Sequence, residues 1–514
     1  MEELDYKNET PEKSASSKKL KKNLYKWHRI LGLITVTPLI MWTASGLMHP
    51  MMAHWFKVQL AHDRIEQIAI DKSKVSLSLQ QVTSQNNINS FYNFRLINFK
   101  DSVYYQVKEM DKSVHYFNAH SGKELINGDQ LYAQFLARYF LGDDKSKIDS
   151  SVIINAFTSK YQYVNRLLPV YKVSFATDSK IDLYVETFGS RLATYNDADR
   201  KAFLWIFSNF HTWAFMDNIT NDALHYGLMI LLLGIIIFAA VSGIVIYGFL
   251  WKRFKNPKKE NSLNLLRKYH RQIGIITSVF MLTFAFSGAY HATTKINPND
   301  KVGLAFLPIL KPQHFKINNL ALNIDWERLN NMSAVVLKKD TLYQLMYAKT
   351  DDLPAEIKYI SALSGDSLAN GDIKYASYLA NKFQQSGDDR NMQLPECCKR
   401  PVDENQNVSA KIIGTESINS FTREYGFVFK RLPVVKVAFD SPNHQRYFIE
   451  TAQSKLASEI TDADMREGYS FAFLHKFFFM EWAGQGVRDF TMALAAFSVM
   501  IVSLLGLAIF IKKM

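Results

Sequence analysis

The sequence predicts a membrane α protein with α+β parts outside the membrane: four transmembrane helices in two tandem repeats, each repeat carrying a large outer domain. Three observations lead there. Four apolar runs, roughly 30–49, 223–250, 273–290 and 490–511, are each close to the ~20 residues needed to cross hydrocarbon. Residues 26–49 and 268–291 align without a gap, with nine of twenty-four positions identical. The two long stretches between the runs are polar, with strand-like segments bounded by turn formers.

At 514 residues the chain is too long for one compact core. Its mean hydropathy of −0.12 and 21% charged residues look soluble, but the average conceals the four runs. The first run follows a lysine-rich segment and exceeds the ~7–15 residues of a signal-peptide core, so it reads as a retained helix. The net charge of +13 is distributed in a way that argues against nucleic acid as a partner. Lys18, Lys19, Lys21, Lys22 and Lys26 precede the first run, Lys252, Arg253, Lys255, Lys258, Lys259, Arg267 and Lys268 lie between the second and third, and Lys512 and Lys513 follow the fourth. The positive-inside rule makes these segments cytoplasmic, with both termini inside and both long loops outside.

Taken in order, residues 1–20 read as a disordered cytoplasmic tail. Repeat 1 covers 21–255, with helices at about 29–49 and 223–250 around an outer domain at 50–222. Residues 251–267 form a cytoplasmic linker. Repeat 2 covers 268–514, with helices at about 269–291 and 490–511 around an outer domain at 292–489. In the first loop, Ser102–Val107 and Ile181–Glu186 read as strands and Asp129–Leu141 as a helix. The second loop repeats the first: Leu168-Pro169-Val170 matches Leu432-Pro433-Val434, and Glu186-Thr187 matches Glu450-Thr451. Asp197/Asp199 and Asp462/Asp464 read as helix N-terminal residues. The aromatic stretches after them carry His211 and His475 and suit the membrane interface. The only cysteines, Cys397 and Cys398, are adjacent, so no loop-closing disulfide is expected. A vicinal disulfide, a metal-ligand pair and two surface thiols all remain open for them.

The motifs His28-Arg29, Ser45-Gly46, His120-Ser121-Gly122-Lys123, His211-Thr212 and Ser242-Gly243 occur in this order. Partial copies follow at His270-Arg271, Ser287-Gly288, Ser364-Gly365-Asp366, His475-Lys476 and Leu505-Gly506. This pattern resembles the PepSY-associated transmembrane (PepSY-TM) family over residues 20–514. The resemblance implies a bacterial inner-membrane protein whose outer domains are PepSY-like and periplasmic. It also implies similarity to members that are haem-containing reductases of siderophore-bound iron. The second half departs from the pattern, with Lys476 in place of Thr and Leu505 in place of a small hydroxyl residue.

Six histidines sit in paired positions at helix mouths. His28 and His270 lie on the inner side, and His49, His291, His211 and His475 on the outer side. His28 and His49 are 21 residues apart, which is roughly 31 Å of helix and about 60° from a shared face. Neutral imidazole is an axial ligand of haem iron, and ionisable groups are rare in membrane helices without a role. The expectation is haem b, two per chain, with His28 and His270 holding the inner one. The outer ligands are drawn from His49, His291, His211, His475 and His225, with the pairing left open. Gly32, Gly46, Gly274 and Gly288 would let a flat group or another helix come close. The Met48–His54 cluster reads as interfacial packing rather than a copper site, and Gly484–Asp489 lacks the context of a dinucleotide loop.

The expected function is transmembrane electron transfer to ferric iron or a ferric siderophore, which makes the chain a candidate oxidoreductase. The sequence shows no flavin or nicotinamide domain, so the donor is a separate reductase or a membrane quinol. The alternative is a non-redox scaffold whose outer domains bind a periplasmic protein or peptide.

Overall fold

The computed structural model describes residues 11–54, 56, 58–158, 160–249, 262–296, 303–385 and 410–513. Cys397, Cys398 and most of the expected linker fall outside them. In chain order the main elements are α1 (Pro11–His54), α2 (Leu79–Gln85), β1 (Phe91–Phe99), β2 (Ser102–Glu109), β3 (Val114–Asn118), α3 (Gly128–Leu141), β4 (Ile148–Ile154), β5 (Val170–Phe175), β6 (Asp182–Glu186), β7 (Arg191–Asn196), α4 (Ala198–Phe210) and α5 (Asp222–Phe249). There follow α6 (Ser262–Ile296), β8 (Leu329–Leu337), β9 (Asp340–Tyr347), β10 (Glu356–Ser361), α7 (Gly371–Gln385), β11 (Ile412–Ile418), β12 (Val434–Phe439), β13 (Arg446–Glu450), β14 (Lys455–Ile460), α8 (Asp462–Ser470) and α9 (Gln485–Ile511). The chain divides into a helical unit and a sheet unit.

In the helical unit, α1, α5, α6 and α9 are each long and apolar enough to cross a membrane. They close a ring in which α1 packs on α5 and α9, and α6 packs on the same two helices. Its centre includes Trp42, Trp213, Met229, Leu233, Ile236 and Ala285. Large apolar side chains such as Ile276, Leu231 and Phe490 point outward and are more than half exposed, as a helix facing lipid requires. Helix α1 starts at Pro11, inside the stretch expected to be tail. Its Ala, Leu and Lys residues are good helix formers that extend the span without a breaker.

The sheet unit differs from the expectation of two separate outer domains. Strands from both long stretches form one antiparallel six-stranded sheet, in the order β10-β9-β8-β1-β2-β3. The join is β1 to β8, with Arg95 opposite Ser333 and Leu96 opposite Met332. Each three-stranded meander would otherwise leave an open edge of unpaired N–H and C=O groups, and joining the two satisfies both. One face of this sheet packs Phe91, Phe94, Leu96, Met332, Tyr343 and Leu345 into a common core. Helix α3 packs with Ile97 and Phe99 and with Val173 and Leu183 of a second sheet, β4-β5-β6-β7. Helix α7 packs likewise between Val335 and the sheet β11-β12-β13-β14.

A buried ionic cluster ties the two stretches together. Arg431 Nη1 lies 2.6 Å from Glu450 Oε2, and its Nη2 lies 3.3 Å from Glu186 Oε1. Arg191 reaches the same two carboxylates, 3.5 Å from Glu186 Oε2 and close against Glu450 Oε1. Lys455 Nζ adds a contact to Glu186 at 3.6 Å. Burial alone would raise both glutamates. The Arg431, Lys455 and Arg191 cations outweigh it for Glu186, and Arg191 and Arg431 do so for Glu450, holding both below the usual carboxylate range. Burial and then Arg431 push Lys455 down to about 8.

Candidate functional site

At one end of the helical unit the N-terminal part of α1 meets the C-terminal part of α5, and the start of α6 meets the end of α9. His28 Nδ1 lies 2.9 Å from Ala239 O and 2.9 Å from Ser242 Oγ, and that hydroxyl itself donates to Ala239 O. A carbonyl oxygen only accepts, so Nδ1 carries the proton and donates. His270 Nδ1 donates in the same way to Val502 O at 3.1 Å. Leu505 occupies the place before Gly506 that Ser242 occupies before Gly243, so this half offers no hydroxyl there. The two rings lie 6.4 Å apart, centroid to centroid, at 62°.

At the opposite end His211 and His475 meet, with ring centroids 6.2 Å apart at 86°. Ser45 Oγ donates to Met41 O at 2.7 Å, which leaves its lone pair to accept from His211 Nδ1 at 3.2 Å. Ser287 Oγ donates to Thr283 O at 2.7 Å and accepts from His475 Nδ1 at 3.1 Å. Phe207 stacks on His211 and Phe471 on His475. Trp42 Nε1 donates to His211 O at 3.0 Å while its ring stacks on Trp213.

The remaining sequence-predicted residues lie outside these pairs. His49 is exposed, with Phe207 6.4 Å away. His291 Nδ1 contacts Glu467 Oε1 at 2.7 Å, and its ring stacks on Phe471. His225 is buried, with Nε2 donating to Thr212 O at 3.0 Å. Its Nδ1 lies 3.1 Å from Asp217 Oδ1, an ion-pair distance without hydrogen-bond alignment. Through the Nε2 bond to Thr212 O, His225 holds the segment after His211.

All four paired imidazoles have Nδ1–H committed to a neighbour, leaving Nε2 as the free lone pair. That is the tautomer a metal-ligating histidine adopts, with its other nitrogen oriented by a carbonyl or hydroxyl. Imidazoles paired in this way could each offer Nε2 to a metal-centred group. The ring spacings at the two ends are alike, 6.4 and 6.2 Å.

A cavity of about 870 Å³ opens at the His28/His270 end, lined deep by apolar residues such as Val36, Leu39, Ile236 and Met281. Gly32 and Gly274 form part of its wall, and a Cβ at Gly32 would meet nothing within 4 Å. The closest approaches occur at two other glycines. A Cβ at Gly243 would stand 3.1 Å from His28 Cε1, and one at Gly506 3.3 Å from His270 Cε1. An apolar slot between two neutral imidazoles, with a basic mouth, fits a planar apolar macrocycle carrying carboxylates. The seating roles of Ser45, Ser287, Gly243 and Gly506 are not read from sequence. Their signal was the doubled small-residue-plus-glycine pattern. No group of three or more His, Cys, Asp or Glu able to hold a metal ion occurs among the described residues.

A search of curated proteins found no match. The family model for the PepSY-associated TM region matches residues 145–513. With that match covering well over half the chain, and four apolar helices beside antiparallel sheets, this membrane protein belongs to the PepSY-associated transmembrane family.

Proposed function

We propose that this chain conducts electrons across the bacterial inner membrane and delivers them to ferric iron or a ferric siderophore in the periplasm. The observation that carries the reading is the pair of imidazole pairs: His28/His270 at one end of the bundle and His211/His475 at the other. Haem b would supply one-electron ferric/ferrous chemistry when bound. His28 and His270 would hold the inner haem, and His211 and His475 the outer one. Backbone carbonyls orient the inner imidazoles and serine hydroxyls the outer ones, so each presents Nε2 without a proton to lose. The apolar walls of the inner cavity exclude water from the group between them. In the same proposal the chain is two tandem repeats, with both termini and the linker cytoplasmic and the sheet unit periplasmic, where it provides the substrate surface.

The test is the reduced-minus-oxidised spectrum of detergent-purified protein, with haem quantified per chain. Two b-type haems per chain are expected. A colourless preparation from haem-replete cells would sink the electron-transfer reading and favour a non-redox scaffold.

A further inference from the structure

The end of the helical unit where His28 and His270 meet is strongly basic. Seven cations line the cavity there, among them Lys21, Lys22, Arg29, Arg271 and Lys513, and no Asp or Glu lines it among the described residues. A macrocycle with two carboxylates would neutralise two of the seven. Lys21 and Lys22 on α1 and Lys513 just after α9 are exposed. Charges clustered within a Debye length of about 8 Å act together on an approaching partner. A one-signed cluster of this kind speeds the arrival of an oppositely charged protein by about 10–10³-fold.

A membrane quinol makes no use of such a field, because it is neutral. Its oxidation also releases two protons with two electrons, which calls for a base at the site. Among the described residues the cavity lining offers no carboxylate, and in the electron-transfer reading the Nε2 lone pairs of His28 and His270 would be taken by the group they hold. Bilayer headgroups are also drawn to cations, but Arg29 and Arg271 stand at matched positions in the cavity lining, each directly after a paired histidine.

From this we infer that the basic end of the helical unit docks an acidic, soluble one-electron carrier, a reduced flavin or iron–sulfur protein, as the electron donor. The inference rests on the electron-transfer reading above. In each encounter the carrier would give up one electron, and a haem held by His28 and His270 would accept it. No bond forms and no proton needs to move.

The test places the full chain in nanodiscs of zwitterionic phosphatidylcholine and measures binding of an acidic plant-type [2Fe–2S] ferredoxin. Affinity is expected to fall tenfold or more between about 50 and about 200 mM salt, where screening takes hold. It should fall by a similar factor in the triple variant Lys21→Glu, Lys22→Glu, Lys513→Glu. Haem per chain is quantified in the same variant, so that loss of ferredoxin binding with haem retained supports the inference. Equal ferredoxin binding by wild type and variant would overturn the inference. So would haem reduction by a soluble quinol, at a rate indifferent to the charge reversal, in discs that bind no ferredoxin. Binding is read independently of colour: a colourless protein that binds ferredoxin in a salt-sensitive way would keep the docking surface and discard the electron-transfer reading.

Discussion

The imidazoles of His211 and His475, 264 positions apart in the chain, stand with centroids 6.2 Å apart and planes at 86°. Each is steadied by a serine of a different membrane helix, Ser45 on α1 and Ser287 on α6. His49 and His291, which are nearer the ends of those helices, are left out of the pair. Replacing His211 or His475 with alanine is therefore expected to remove about half the haem per chain, while His49→Ala leaves it unchanged. Haem quantification against protein concentration checks this, and loss of haem on His49→Ala alone would refute the assignment.

Ser45→Ala removes the acceptor of the His211 Nδ1–H bond without touching the ring. Loss of such a partner typically costs about 10- to 100-fold in metal affinity. Outer-site haem retention on dilution should drop by that order, and Ser45→Thr should restore it. Ser287→Ala should act in the same way through His475.

Gly243→Ala would place a methyl 3.1 Å from His28 Cε1, tighter than the 3.3 Å that Gly506→Ala would leave at His270. The ring must yield by a few tenths of an ångström, away from its carbonyl. The expected result is a perturbed low-spin resonance from the inner centre only, larger for Gly243→Ala than for Gly506→Ala. Electron paramagnetic resonance of the oxidised protein resolves the two centres.

Arg431→Met should be among the most damaging substitutions in the sheet unit. It leaves Glu186 and Glu450 buried with fewer cations, a situation that costs about 3–5 kcal/mol. Hydrogen exchange at the amides of β6 and β13 in the full chain is the direct measurement. Adding Glu450→Gln should recover part of the loss, because the buried charge left unpaired is then smaller.

The same cluster sets an acid limit. Glu186 and Glu450 are held below the ordinary value of 4.5, Glu186 chiefly by Arg431 and Glu450 chiefly by Arg191, against the opposing effect of burial. A depressed carboxylate contributes stability that is present above pH 4.5 and lost as pH falls through the folded-state values. Protection of β6 and β13 should therefore decline with acidification below about 4.5, and less steeply in Glu450→Gln.

Several features were legible in the sequence because they are local. The four spans follow from apolar length, the basic end from lysine and arginine counts, and the six helix-mouth histidines from their recurrence. Glu186-Thr187 and Glu450-Thr451 stood out as a repeated pair, although nothing in the pattern said that Arg431 and Arg191 would bridge them.

Which histidines meet was a different kind of question. His49 and His211 both belong to the outer mouth by sequence, and a helical wheel cannot rank them, because the choice depends on how the segment after α4 folds back against α1. That is decided by Trp42 holding His211 O and Ser45 holding its Nδ1, contacts that span 169 and 166 positions. The joining of β1 to β8 is equally long-range, since an edge strand pairs with whatever compatible edge is brought to it. The sequence by itself determined the spans, their basic end and the set of candidate imidazoles, because hydropathy, charge and residue type are properties of short stretches. Only the tertiary structure decided that His211 and His475, rather than His49 or His291, meet at the outer end, because the hydroxyls that orient these rings are supplied by other helices.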